Sequence, residues 1–475
     1  MNDSSERNVF PISLLYYNEA QYPDEVYMRQ PINRELRDFT WKETMDQARR
    51  LVSFLLDQGL KRGDRVSILS KNCAEWLIVD FACMIGGFVL TPIYATQREE
   101  DIYYVLKHSG AKLIFVGKLD DWKQQQPGIP EDITKVSLPY IDQMPADYSW
   151  NDILDHYSPY KGNPLPDDKD LWTLVYTSGT TGSPKGVMYT YEQMGKFRKN
   201  LEIEIDEFQL PQHTRMISYL PLAHVAERTA IEINSLGLED RFRFTIYFVE
   251  SLETFADDLR TARPHLFFAV PRIWAVFQQG IFEQIPKEKL ERLLRIPLLS
   301  KIVKKKIVTA LGLDQCVFAI SGAAPISRST LEFFDSLGIK IVEGYAQTEN
   351  TAYGTLGKQG KTKVGSVGLP RPGVDVKIAD NGEILMYSPG NMAGYYKEEA
   401  LTKESFTEDG YLKTGDMGYF DDEGYLYITG RVKEQFKTAK GEYITPVRIE
   451  KEFDKHPEIE QCCLVGSGLR QPVLL

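Results

Sequence analysis

Cysteine is scarce in this chain and unpaired in pattern. Its five residues, Cys73, Cys83, Cys316, Cys462 and Cys463, make no CxxC spacing and no ligand-spaced cluster. That argues against a disulfide framework and a thiolate zinc site and fits a reducing, cytoplasmic location. Long apolar runs are missing too. The longest uncharged stretch, Phe81 to Gln97, is broken by Gly86-Gly87 and Thr91-Pro92 and is too short to span a bilayer. The polar start, Met1 to Arg7, lacks the apolar core of a signal peptide. Basic charge is not in excess: at a net −11 the average field repels a phosphate backbone, which argues against general nucleic-acid binding and requires any nucleotide site to be built locally. The sequence contains neither a G-x-S-x-G elbow nor a G-x-G-x-x-G turn, the marks of a serine hydrolase and of a dinucleotide fold.

What is present is an ordinary globular composition, 43% hydrophobic and 26% charged, over 475 residues, long enough for two or more domains. Apolar residues recur at helical spacing between Phe39 and Gly59 (Met45, Ala48, Leu51, Val52, Leu55, Leu56), and the strand-like run Arg65–Leu69 follows. A second helix through Trp76 and Phe81 leads to the runs Phe88–Tyr94 and Leu113–Val116. Such alternation predicts a largely parallel sheet covered by helices. Residues 117–170, rich in Asp, Pro and Gln, are expected to form a surface connection.

The run Leu171–Tyr176 is apolar and β-branched and predicts a buried strand. Its successor, YTSGTTGSPKGV from Tyr176 to Val187, concentrates Thr177, Ser178, Gly179, Thr180, Thr181, Gly182 and Lys185 in one loop. Such a loop brings backbone N–H groups, hydroxyls and one full charge to a phosphate chain. It is not a P-loop, because Lys185 follows Pro184 and precedes Gly186. With a second strand-like run at Val187–Thr190, the loop is expected to join two strands.

Further along, the small residues Gly322, Ala323 and Ala324 let a flat ring approach the backbone. The run Ile339–Glu343 predicts a strand whose end carries Gly344, Tyr345, Thr348 and Glu349, and ligands in open α/β sheets bind at such ends. Mg2+ beside a triphosphate needs one or two hard oxygen ligands, which Glu349 and the Thr177 hydroxyl offer. From Gly365 the texture turns to short strands and turns, predicting a small β-barrel-like subdomain. Between Pro286 and Leu313, eight Lys and Arg residues alternate with Leu and Ile, giving a basic amphipathic surface suited to peripheral membrane contact or simple solvation.

The glycine-rich loop resembles the signature of the adenylate-forming, AMP-binding superfamily. The segments SYLPLAHVAER (Ser218–Arg228) and FFAVPRIW (Phe267–Trp274) are similar to those of its long-chain fatty acyl-CoA synthetases. The resemblance implies that Tyr345 stacks on adenine, Thr348 meets the α-phosphate and Glu349 holds magnesium. It likewise gives Asp416 to the ribose hydroxyls, Arg431 to ribose or phosphate, His224 to the reacting carboxylate, and Gly441 to CoA. Lys185, Thr348, Glu349 and the hinge residue Lys433 form the implied catalytic set.

The implied architecture is α/β. A large domain, residues 1–430, comprises two βα-layered subdomains and the small subdomain of about 365–430, followed by the hinge and start of an α+β C-terminal domain over 431–475. That domain is expected to be incomplete, because the family's terminal lysine-bearing segment has no match. The implied reaction activates a medium- to long-chain fatty acid with ATP and Mg2+ and transfers the acyl group to CoA. An acyl-AMP ligase loading a carrier protein, an aryl-acid CoA ligase and a nucleotide- or lipid-binding relative impaired in catalysis are the alternatives. Oligomeric state is open, with a homodimer among the options.

Overall fold

The computed structural model describes residues 10–140, 144–177, 183–237, 240–434, 436–437, 439, 443–444, 446–453, 462–466 and 471–475. Its largest sheet has eight strands. In spatial order they are Gly394–Tyr395, Lys185–Thr190, Leu171–Thr177, Val89–Ile93, Arg65–Leu69, Ala111–Val116, Thr134–Ser137 and Tyr148–Ser149. Pairing is parallel from Leu171–Thr177 outward to Tyr148–Ser149, and antiparallel where Lys185–Thr190 and Gly394–Tyr395 join.

Helices cover this sheet as the hydrophobic pattern requires. Trp41–Asp57 starts where the Thr40 hydroxyl accepts the Glu43 N–H and buries Met45, Ala48, Leu51, Val52 and Leu55, whereas Leu56, expected on the same face, is 42% exposed because it falls at the rim of the apolar stripe. The chain then turns at Gly59, whose φ of +79° is a conformation that costs other residues strain. Ala74–Gly86 is apolar nearly all round and buried on nearly every side, the behaviour of a helix packed between layers.

A second sheet runs Leu266–Ala269, Phe318–Ser321 and Ile341–Tyr345 in parallel, then Thr355–Leu356 and Leu369–Pro370 antiparallel. Helices Pro271–Gln284 and Arg328–Leu337 share its core through Trp274 and Phe334, whose rings meet edge to face at 4.9 Å. The short strands expected after Gly365 form an open four-stranded antiparallel sheet, Asp375–Ile378, Glu383–Tyr387, Leu412–Phe420 and Leu426–Arg431, in that order.

Two features differ from the sequence expectations. Residues 117–170 are not merely a surface connection, since they add the strands Thr134–Ser137 and Tyr148–Ser149 to the large sheet and bury Val136, Trp150 and Ile153. Their polar composition belongs to the sheet's edge, where one side faces water. The other feature is a further four-stranded sheet, His213–Ser218, Arg243–Phe248, Val26–Ile32 and Glu35–Thr40. It pairs Met28 with Ile246, partners too distant in sequence for local patterning to reveal.

Candidate functional site

Strands Leu171–Thr177 and Lys185–Thr190 pair with Thr177 directly opposite Lys185, so the glycine-rich segment is a hairpin connection between two strands. Ser178, Gly179, Thr180, Thr181 and Gly182 lie outside the described residues, as does Gly441. At the hairpin mouth the Lys185 Nζ sits 5.5 Å from the centre of the Tyr395 ring, within cation–π range. The Tyr395 hydroxyl donates to Glu349 Oε1 at 2.8 Å. Burial, and then the Glu349 charge, raises the Tyr395 phenol, which keeps it a donor.

Glu349 belongs to the single turn Thr348–Asn350 beyond the strand Ile341–Tyr345. That turn is held on several sides. The Tyr189 hydroxyl donates to the Thr348 carbonyl, the Gln347 N–H donates to Asn350 Oδ1 at 2.8 Å, and the Met392 N–H donates to the Glu349 carbonyl at 2.8 Å. Thr351 and Ala352 follow at φ of +58° and +52°. Two consecutive non-glycine residues in the left-handed region cost about 1 kcal/mol each and persist only where the surroundings over-determine them, as they do at ligand clamps.

The strand's last residues reach a cavity of about 1400 Å³. Ala323, Ala324, Gly344, Tyr345, Asp416 and Arg431 all line it. Its walls come from the second sheet, the antiparallel sheet and helix Pro271–Gln284. Gly322 sits behind the wall, where an added Cβ would lie 3.3 Å from the Gly344 carbonyl oxygen, so the two backbones flanking the cavity approach closely. Ala323 has φ of +68°, a further strained residue at the same edge.

Asp416 is the polar centre of this cavity. Its Oδ2 accepts from the Tyr345 hydroxyl at 2.7 Å and from Gln347 Nε2 at 2.8 Å, while Oδ1 lies 3.2 Å from Arg431 Nε, its cross-strand partner. Burial, then the Asp416 charge, holds the Tyr345 phenol well above its usual range, so it stays a donor. Lys433 is exposed in the turn Val432–Glu434, immediately after Arg431.

Two groups of expected residues are therefore brought together. Thr177, Lys185, Thr348 and Glu349 gather about the hairpin mouth, and Ala323, Ala324, Gly344, Tyr345, Asp416 and Arg431 gather about the cavity. Segment 344–349 joins them. His224 belongs to neither group. It caps the short helix Val225–Glu227, its Nδ1 accepting the Ala226 N–H at 3.1 Å, and its ring meets Tyr94 edge-on at 6.4 Å. Burial pushes its pKa below the ordinary imidazole value, which favours the neutral ring with the proton on Nε2.

Asn72 fixes the loop that carries His224. Its Oδ1 accepts the Leu222 N–H at 2.9 Å, and its Nδ2 donates to the Leu220 carbonyl at 2.5 Å and to Ser218 Oγ at 2.8 Å. Beyond the histidine, Arg228 is fully buried between Asp80 and Glu232, donates to Thr173 Oγ1 at 2.7 Å, and lies 4.1 Å from the Trp172 ring centre. This ties the histidine segment to the strand that leads into the glycine-rich loop. Thr229 Oγ1 then donates to the Thr351 carbonyl at 3.1 Å, closing a path from His224 to the Glu349 turn.

Sequence reasoning did not single out Tyr395, Gln347, Tyr189 or Asn72. Gln347 lies inside the motif that carries Tyr345 and Glu349 and was the one legible there. The others reach the site only through tertiary pairing. A hydrated magnesium ion shared with phosphate oxygens fits this donor set, since Glu349 supplies one carboxylate and Thr177 one hydroxyl; among the described residues no denser cluster of metal ligands occurs.

The AMP-binding enzyme family model matches residues 15–396. A long-chain-fatty-acid–CoA ligase of Xenopus laevis is 30% identical, the match covering 98% of this chain and 69% of that protein. A ligase of the same description from Mycobacterium bovis is 30% identical, covering 96% and 80%. Among solved structures, a Mycobacterium tuberculosis fatty acyl CoA synthetase superposes with a TM-score of 0.73 at 22% identity, over 96% of this chain and 85% of that one, a likeness of fold. With its glycine-rich hairpin, its strand-end carboxylate and a family match over most of its length, the chain belongs to the AMP-binding, adenylate-forming enzymes.

Proposed function

We propose that this enzyme activates a medium- to long-chain fatty acid with ATP and passes the acyl group to CoA. A carboxylate oxygen of the acid attacks the α-phosphorus, and the bond to the β-phosphate oxygen breaks, releasing pyrophosphate and leaving an acyl-adenylate. The CoA sulfur then attacks the acyl carbon and AMP departs. No covalent attachment to the protein is required. What the chain supplies is position and charge.

In this reading Tyr345 and the small residues Gly322–Ala324 hold the base, Asp416 and Arg431 hold the ribose, and Thr177 and Lys185 with the loop between them hold the phosphates. Magnesium, where bound, neutralises phosphate charge from Glu349 and Thr177. Thr348 sits at the α-phosphate, and His224 with its neutral imidazole faces the acid. Lys433, exposed beside Arg431, is the pivot about which a following domain turns, with Gly441 beyond it serving CoA.

The observation that carries the proposal is the continuous segment Gly344–Glu349. It sets a ring against a ribose-type carboxylate at one end and a magnesium-type carboxylate beside a lysine at the other. The fatty-acid assignment draws on two ligases similar in sequence, both named for long-chain fatty acids. Incubation with ATP, Mg2+, CoA and a panel of acids, read by mass spectrometry, tests it. Acyl-CoA and AMP formed from saturated fatty acids are expected. Products from aryl acids alone, or acyl transfer to a holo-carrier protein in preference to CoA, would contradict it.

A further inference from the structure

We infer that His108 is a positioning residue for the hairpin mouth, clamping the two segments that carry Lys185 and Tyr395 and so serving the β- and γ-phosphates of ATP rather than its nucleoside. The inference rests on the ATP reading of that mouth proposed above. His108 stands in the last turn of helix Glu99–Ser109, on a different element from every residue of the site. Its Nδ1 lies 2.8 Å from the Tyr176 hydroxyl, and the two rings meet edge to face at 5.8 Å.

Tyr176 carries this contact to the hairpin. It is 4% exposed and pairs across the strands with Gly186, the residue after Lys185. Its ring lies against that glycine: a Cβ on Gly186 would stand 3.1 Å from the tyrosine Cζ and 3.3 Å from its hydroxyl oxygen. The phenol thus braces the backbone from which Lys185 extends. Burial raises the Tyr176 phenol and keeps it protonated, while burial, then the Lys397 charge, lowers the His108 imidazole against the opposing charge of Glu398. The phenol is therefore the donor and the neutral ring's Nδ1 the acceptor, with the ring proton on Nε2. A histidine serving the helix end alone would be charged, as a helix C-terminus favours.

A second arm reaches the segment after Tyr395. The His108 carbonyl accepts Lys397 Nζ at 2.7 Å, the Tyr396 ring meets the imidazole edge to face at 5.8 Å, and the Tyr104 ring stacks on it at 5.3 Å. The Tyr396 N–H donates to the Gly186 carbonyl at 2.8 Å, which closes a circle of contacts from His108 through Tyr176, Gly186 and Tyr396 back to His108. Lys397 takes a φ of +61°, a conformation that strains a non-glycine residue and persists where its surroundings fix it. Lys185 and Tyr395 each stand one residue from this circle, so loosening it displaces both.

Calorimetric affinities of the full chain for ATP and for AMP test the inference, because only ATP presents β- and γ-phosphates. His108→Ala is expected to weaken ATP binding about tenfold and AMP binding by less than about twofold. Tyr176→Phe keeps the ring, removes the hydroxyl and should act alike, and the double variant should lose no more than either single one. His108→Asn, whose Oδ1 can accept the phenol in place of Nδ1, should restore most of the ATP affinity. Should His108→Ala fail to fold, Tyr176→Phe decides by its ratio of ATP to AMP loss. Equal losses for the two nucleotides, full additivity in the double variant, or wild-type ATP affinity in Tyr176→Phe would overturn the inference while leaving the ATP reading intact. A wild type that bound neither nucleotide would overturn that reading and the inference with it.

Discussion

The Tyr345 hydroxyl donates to Asp416 Oδ2 at 2.7 Å, so the ring proposed to hold the base and the carboxylate proposed to hold the sugar are locked to each other before any nucleotide arrives. The two residues come from different sheets, Ile341–Tyr345 and Leu412–Phe420. Their bond sets the distance between the two halves of the proposed nucleoside site. Tyr345→Phe keeps the ring and removes the lock. A hydrogen bond to a charged group is worth about 1.5 to 3 kcal/mol, so ATP affinity by calorimetry is expected to fall about tenfold or more. Unchanged affinity would show that Asp416 is positioned by Gln347 and Arg431 alone.

At the other end of the segment, Lys185→Ala and Glu349→Ala are each expected to lower acid-dependent ATP–pyrophosphate exchange about a hundredfold, because in the proposed site the lysine offsets charge on the leaving phosphates and the carboxylate would hold the magnesium ion that does the same. Tyr395→Phe should cost less, about tenfold, since it frees Glu349 without deleting it. If Tyr395→Phe proved as damaging as Glu349→Ala, the tyrosine would itself contact the nucleotide.

Asn72 predicts a different pattern. Asn72→Ala leaves the Leu222 N–H and the Leu220 carbonyl without their partner and should lower stability by about 2 kcal/mol in denaturant unfolding. Through His224 it should also raise KM for the acid while leaving KM for ATP nearly unchanged. Equal changes in both would mean that the loop does not serve the acid.

Stability should depend on pH through His265. Its Nδ1 accepts the Arg215 N–H at 3.0 Å, and burial, reinforced by the Arg215 charge, pushes its pKa down to about 4 from 6.5. The unfolded chain therefore binds more protons between these two values. The contribution of the neutral ring is complete above 6.5 and is lost as pH falls toward 4. Urea midpoints across that window should drop in the wild type and drop less in His265→Gln. Parallel curves would contradict this.

Much of the site was legible because its parts are local. A β-branched run ending in a glycine- and hydroxyl-rich loop reads as a strand entering a phosphate cradle, and Thr177 and Lys185 do stand opposite each other at its mouth. Tyr345, Thr348 and Glu349 fall in one short motif at a strand end. The connections between these parts were not legible. Tyr395 reaches Glu349 only because Gly394–Tyr395 pairs with Val187 and Met188, and Asn72 reaches the His224 loop across two sheets. The strand Val26–Ile32 shows the same limit in the fold, since its partner Arg243–Phe248 carries no local sign of the pairing. Periodicity records which side of an element is buried, not what lies against it.

Fatty-acid-dependent ATP–pyrophosphate exchange tests the central claim most directly, because it reports formation of the acyl-adenylate without requiring CoA. Exchange is expected to appear with medium- and long-chain fatty acids, to be absent without acid, and to be lost in Lys185→Ala. Exchange independent of added acid, or equal in wild type and Lys185→Ala, would contradict it.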